Sequence, residues 1–145
     1  SCININIDIV KTEYIFCNFN INTNITIRKK CFDIITKLNI PFLKNINNKD
    51  NFSRLAKYKF AICPEGNGPD THRLWESLYL KTIPIVENTD FIKCLINQYP
   101  NIPLVILESF NELENLELNY NDYSINSNNS YLDYNILKQT IFNNY

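Results

Sequence analysis

Both glycines of the chain, Gly66 and Gly68, fall in one short stretch, Glu65-Gly66-Asn67-Gly68-Pro69. Residues 58–63 (YKFAIC) precede it as an apolar run suited to a buried strand, and Pro64 stops that run. After it, Asp70 or Thr71 can cap a helix running to about Lys81, and Ile83-Pro84-Ile85-Val86 reads as the next strand. Strand, glycine loop, helix and strand within about thirty residues make a βαβ unit, the half-motif of nucleotide-binding α/β folds. A chain this poor in glycine places it where the backbone must turn tightly or approach a ligand closely. The loop is therefore the leading functional signal.

The flanking sequence continues the alternation of strands and helices. Ile3, Ile5, Ile7 and Ile9 alternate with Asn4, Asn6 and Asp8, as in a half-exposed strand. Residues 14–19 read as a second strand, and 26–38 as a helix with Cys31, Ile34, Ile35 and Leu38 on one face. A short strand is expected at 40–43 despite Pro41, then a short helix from Asp50 or Asn51 through Leu55. Beyond the central unit, 90–98 is a helix with Phe91, Cys94 and Leu95 inward, 103–107 a strand and 110–118 a short helix. The polar stretch 119–130 reads as an exposed loop, and 131–142 as a closing amphipathic helix. The expected architecture is one Rossmann-like, doubly wound α/β domain over 1–145, with a mainly parallel sheet of about five strands and 58–63 central.

Composition narrows the function classes. The 145 residues suffice for one domain with a real core, and 45% hydrophobic against 20% charged residues is the balance of a soluble globular chain. A net charge of -1 supplies no global field to gather nucleic acid or an anionic membrane. No run is apolar enough for a membrane span, and no basic stretch leads into an apolar core at the start, so a soluble chain is expected, compatible with a cytoplasmic setting. Heavy use of Asn, Ile, Lys, Tyr and Phe reads as the codon bias of an AT-rich genome, viral or microbial. The five cysteines are widely spaced and never form a CxxC pair, so buried thiols are expected rather than a disulfide framework or a zinc site. The chain starts at Ser1, after removal of an initiator Met or as a piece of something longer.

The chemistry of the central stretch lies in Arg73 and Glu76, three apart and on one helix face. Near a helix N-terminus, where free amides and the dipole favour an anion, Arg73 adds a guanidinium fork suited to a diphosphate. Glu76, one turn on, is placed to accept hydrogen bonds from two neighbouring ribose hydroxyls. By spacing alone the two read as an ordinary surface ion pair; the glycine loop before them favours the ligand role. His72, the only histidine, is a weak candidate for catalysis beside Arg73. Trp75, Leu78 and Tyr79 are expected in the core. No Asp-x-Asp pair is present to hold a divalent metal under a diphosphate, so no metal site is expected.

Lys59-Phe60, Cys63-Pro64-Glu65-Gly66-Asn67-Gly68, Asp70-Thr71-His72-Arg73-Leu74-Trp75-Glu76 and Ile83-Pro84-Ile85-Val86 resemble the C-terminal donor-binding half of exostosin-like glycosyltransferases. The layout is similar in fucosyltransferases. The resemblance implies a metal-independent GT-B enzyme that transfers a sugar from a nucleoside diphosphate donor, with no separate cofactor, to a glycan or protein acceptor. It implies that Arg73 binds the diphosphate, that Glu76 binds the ribose, and that Glu65, Gly66, Asn67 and Gly68 approach the donor. Asn22, Thr23, Asn24 and Arg28, which resemble the family's first strand-to-helix loop, would line the opposite lip. Two departures stand out. The family's glycine between the central helix and the next strand is replaced by Lys81-Thr82, and only one of the family's two domains is represented. The acceptor site and the catalytic base would then belong to a second domain, in cis or in trans. The competing expectations are a non-catalytic nucleotide-sugar binding module and a structural α/β domain in which Arg73 and Glu76 merely pair.

Overall fold

The computed structural model describes residues 10–44, 48–66 and 72–123. Four strands, β1 (Glu13–Phe16), β2 (Tyr58–Ile62), β3 (Ile83–Glu87) and β4 (Val105–Leu107), pair in that order, all parallel. The helices are α1 (Ile25–Lys37), α2 (Asn48–Leu55), α3 (His72–Tyr79) and α4 (Asp90–Gln98). Parallel strands require crossovers, and the crossovers put helices on the sheet's faces. The β1–β2 connection holds two helices that part company. Cys31 and Ile35 of α1 pack with Phe60, Ile62, Ile83, Ile85, Val105 and Leu107 on one face. Leu55 of α2 packs with Leu74, Leu78, Ile92 and Leu95 of α3 and α4 over Phe16, Ala61 and Val86 on the other. Both faces are thus covered although the described strand order never reverses, and β2 is interior as expected. The α/β class and the parallel, Rossmann-like sheet stand; four strands are described where about five were expected. The predicted strand over 3–9 and helix over 131–142 lie outside the described residues, and no described helix is long and apolar enough to cross a membrane.

Local chemistry corrects several boundaries. The segment 40–43 is not a strand. Pro41 lacks a ladder donor, and what ties the segment down is Leu43 N–H donating to Cys17 O at 2.9 Å, with Asn18 Nδ2 donating to Leu43 O at 2.6 Å. β1 starts at Glu13 and stops at Phe16, where the chain turns off toward the Asn20 cap. α3 ends at Tyr79, because Lys81 adopts φ 59, the left-handed conformation that closes a helix. β4 begins two residues later than expected, and 110–118 contains a 3-10 turn, Phe110–Asn115, fixed by a Ser109–Glu112 capping box. In α4, Ile92 and Leu95 are inward and Cys94 is exposed, a rotation from the expected face. A further 3-10 turn, Tyr120–Asp122, lies in the stretch expected to be an exposed loop. Asn119, Asn121 and Asp122 are exposed there, while Tyr120 and Tyr123 set their rings edge-on to Phe60 at 6.2 and 5.8 Å.

Candidate functional site

Parallel α/β sheets bind ligands outside the carboxyl ends of their strands. Here β1 runs out through Cys17 and Asn18 into the turn 20–24, and β2 into Pro64-Glu65-Gly66. Three asparagines and an arginine organise the first turn. Asn20 Oδ1 accepts from Asn22 N–H at 3.0 Å, and Asn24 Oδ1 caps α1 by accepting from Ile27 N–H at 3.3 Å. Asn24 Nδ2 reaches across to Gly66 O at 3.0 Å. Arg28, one turn into α1, donates from Nε to Glu65 O at 2.9 Å, from Nη1 to Asn20 O at 2.8 Å and from Nη2 to Pro64 O at 3.4 Å. The two loops that the sequence pairs across a cleft are therefore in direct contact, stitched by Asn24 and Arg28. A Cβ on Gly66 would fall 2.9 Å from Arg28 Nη2 and 3.4 Å from Thr23 Cγ2. Gly66 thus allows a close approach, and what approaches it is the first loop. Asn67, Gly68 and the proposed caps Asp70 and Thr71 lie outside the described residues.

Arg73, in the first turn of α3, is held by β1. Its Nη1 donates to Asn18 O at 2.7 Å, and its guanidinium carbon sits 4.8 Å from the centre of the Phe16 ring. Its Nε is 3.9 Å from Glu76 Oε2, beyond hydrogen-bond length. The two side chains are only 18% and 6% exposed, so they do not form a surface pair. Arg73 Nε and Asn51 Oδ1 are buried atoms without a hydrogen-bond partner. Both side chains reach Asn18 through their other polar atoms: Arg73 Nη1 donates to its carbonyl and Asn51 Nδ2 to its Oδ1 at 3.0 Å, and Leu43 O fixes which way the Asn18 amide faces. The charge of Arg73 also lowers the Arg28 pKa, second to burial, which places two guanidinium groups in one neighbourhood.

The thiols beside these cations are inert. Burial raises Cys17, with Cys31 adding, and pushes Cys63 up to about 12, with Arg73 opposing in both cases. Neither supplies a thiolate nucleophile near neutral pH. Cys31 is likewise buried, with no disulfide among Cys17, Cys31, Cys63 and Cys94. His72 is exposed at the start of α3. Among the described residues no three His, Cys, Asp or Glu side chains converge as a metal site.

Glu87 was missed by the sequence reading, although its position as the last residue of β3 at the carboxyl edge was the available signal. Its Oε2 accepts from Phe110 N–H at 3.2 Å. Burial raises its pKa, Glu65 adds to that, and Phe110 N–H and Lys30 oppose it. Glu65 and Glu87 line a cavity of about 20 Å³, room for one water, together with Cys63 and Thr89. The carboxyl edge is therefore polarised, cationic at the ends of β1 and β2 and anionic between β2 and β3. A parallel α/β domain with a charged, loop-bounded edge is as far as fold and site go together. No known family model matches the chain, and no curated protein matches it.

Proposed function

We propose that the chain is the nucleotide-sugar donor-binding domain of a GT-B type glycosyltransferase, working without a metal ion and with an acceptor-binding domain in cis or in trans. The reading is supported by one observation above the others: Arg28 and Arg73, from separate crossovers, sit together at the carboxyl edge beside the buried Glu76. Two guanidinium groups in one neighbourhood favour an anionic ligand, and a diphosphate is such a ligand. Arg73 takes the diphosphate and Glu76 the ribose hydroxyls; Glu65, Gly66, Asn67 and Gly68 approach the donor from one loop, and Asn22, Thr23, Asn24 and Arg28 from the other. Transfer also needs an acceptor and a group that takes its proton, held in one closed geometry with the donor. Residues 1–145 alone are expected to bind donor without turning it over.

Calorimetry against a panel of nucleoside diphosphates and their sugars tests the reading. One member should bind, and Arg73→Ala should weaken it by about 1.5–3 kcal/mol, the value of a charged hydrogen bond. Far-UV circular dichroism should show the variant folded. Equal affinity in variant and parent removes Arg73 from the site, and no binding by any member removes the proposal. Sustained turnover by the isolated chain, lost on Arg73→Ala, would make it a complete enzyme.

A further inference from the structure

Helix α1 has a face that the proposed donor site does not use. Arg28 turns toward the loops and Cys31 and Ile35 toward the core, while Lys29, Lys30, Asp33 and Lys37 are exposed. Lys29 pairs with Asp33 at 2.6 Å, and Lys30 and Lys37 form no ion pair among the described residues. These side chains border an open groove whose apolar part is Ile25 and Ile34 and whose far wall is Asn111. Ile25 is 62% exposed. Beyond Asn111 the charge reverses. Residues 105–123 hold Glu108, Glu112, Glu114, Glu117 and Asp122 with no Lys or Arg. Glu112 is engaged in its capping box, whereas Glu114, Glu117 and Asp122 are exposed, as is Leu116 at 39%. Lys59 of β2 borders this acidic arc, beside Glu117 and Asp122.

The basic groove and the acidic arc lie on the same side of the sheet, since α1, Phe110 and Leu118 pack into one cluster. Neighbouring patches of opposite sign, each with an exposed apolar residue, become self-complementary when a second copy is turned by a two-fold rotation. We infer that this face is a homodimer interface, in which the groove of each copy receives the acidic arc of the other. Ile25 and Leu116 supply apolar anchors, and Lys30 and Lys37 meet Glu114 and Glu117. Nucleic acid fits the face poorly, because the arc repels phosphate and the groove offers no aromatic side chain for stacking. The inference is independent of the donor site.

The test is sedimentation of the full chain from about 1 to about 100 μM at low and high salt, with the charge patches reversed. The parent should dimerise at about 50 mM salt and associate at least about tenfold more weakly at about 500 mM. Lys30→Glu with Lys37→Glu, and separately Glu114→Lys with Glu117→Lys, should each weaken self-association by about tenfold or more. Mixing the two variants should restore a heterodimer, because both contacts are then complementary again. These side chains are exposed, so unchanged circular dichroism and melting should accompany the loss. A parent that stays monomeric at about 100 μM, a dimer indifferent to both reversals, or variants that fail to pair on mixing would each overturn the inference.

Discussion

The two ends of the sheet treat buried polar groups in opposite ways. At the amino edge Lys11 Nζ donates to Ala56 O at 2.6 Å, Leu80 O at 2.7 Å and Thr82 Oγ1 at 2.9 Å, which engages all three of its N–H groups. The Thr82 hydroxyl lies 2.9 Å from Tyr58 O and 3.1 Å from Leu55 O. This knot closes the last turns of α2 and α3 onto the starts of β2 and β3. At the carboxyl edge, a comparable cluster around Asn18 leaves Arg73 Nε and Asn51 Oδ1 buried without partners. Leaving such groups unmatched costs free energy. The difference marks the amino edge as the one whose polar groups are all matched and the carboxyl edge as the one where two are not.

Alkali should separate the edges most strongly, because they titrate with opposite signs. Burial lowers Lys11 from 10.5 to about 8, with Lys81 adding. Between those values the unfolded lysine holds more protons than the folded one, so stability rises with pH. Burial raises Cys31 and Cys63 from 9.0 to about 12, and Cys17 in the same direction. Between 9 and 12 the unfolded thiols hold fewer protons, so stability falls, by up to about 4 kcal/mol per pH unit for the three together. Three thiols outweigh one amine. Urea melts from pH 7 to 11 should therefore show a small rise toward about 9 and a steep fall beyond it. Lys11→Met should abolish the rise and Cys17→Ala with Cys63→Ala should blunt the fall. A flat profile would mean that neither edge is as buried as described.

The contrast in polar satisfaction has its own test. Thr82 is fully buried, and Thr82→Val keeps its shape while removing the hydroxyl, so it should cost about 1–3 kcal/mol in denaturant melts. At the other edge, Asn51→Leu loses one hydrogen bond to Asn18 but also removes an unpartnered acceptor, and should cost less than about 1 kcal/mol. Equal costs at the two positions would dissolve the distinction.

What the sequence disclosed follows the same division. The runs that form β2 and β3, and the periodic faces of α1 and α3, announce themselves because a buried strand must be apolar and a packed helix must repeat. Arg73 and Glu76 could be paired from their spacing, since one helix face carries both. That the partner of Arg73 would be Asn18 O, and that Arg28 would clasp three carbonyls of two loops, could not be read in the same way. Those contacts join residues 8 to 55 positions apart, and asparagine in so Asn-rich a chain carries no distinguishing mark. Lys11 was invisible for the same reason: a lysine near a chain terminus reads as solvated until two helix ends converge on it. The failed strand at 40–43 shows the converse, where an apolar run was legible and the absence of a ladder partner was not.

The smallest effect concerns glycine. At the amino edge Lys81 stands at φ 59, where a side chain crowds the backbone and glycine would not. At the carboxyl edge Gly66 has no positive φ; its lack of a Cβ leaves space for Arg28 and Thr23. The chain thus has a lysine where conformation calls for glycine, and a glycine where only space does. Lys81→Gly should stabilise by about 0.5–1 kcal/mol, relief of left-handed strain set against the greater freedom of an unfolded glycine. The main-chain carbonyl that accepts from Tyr120 Oη at 2.6 Å is retained, and loss of the Lys81 charge lets the Lys11 pKa rise, which favours the ammonium in its knot. Gly66→Ala should destabilise by about 1 kcal/mol, because Arg28 Nη2 must give way and its three carbonyl contacts hold it in place. Melting temperatures of the two variants should move in opposite directions. A Gly66→Ala variant as stable as the parent would mean that the clasp between the loops yields freely.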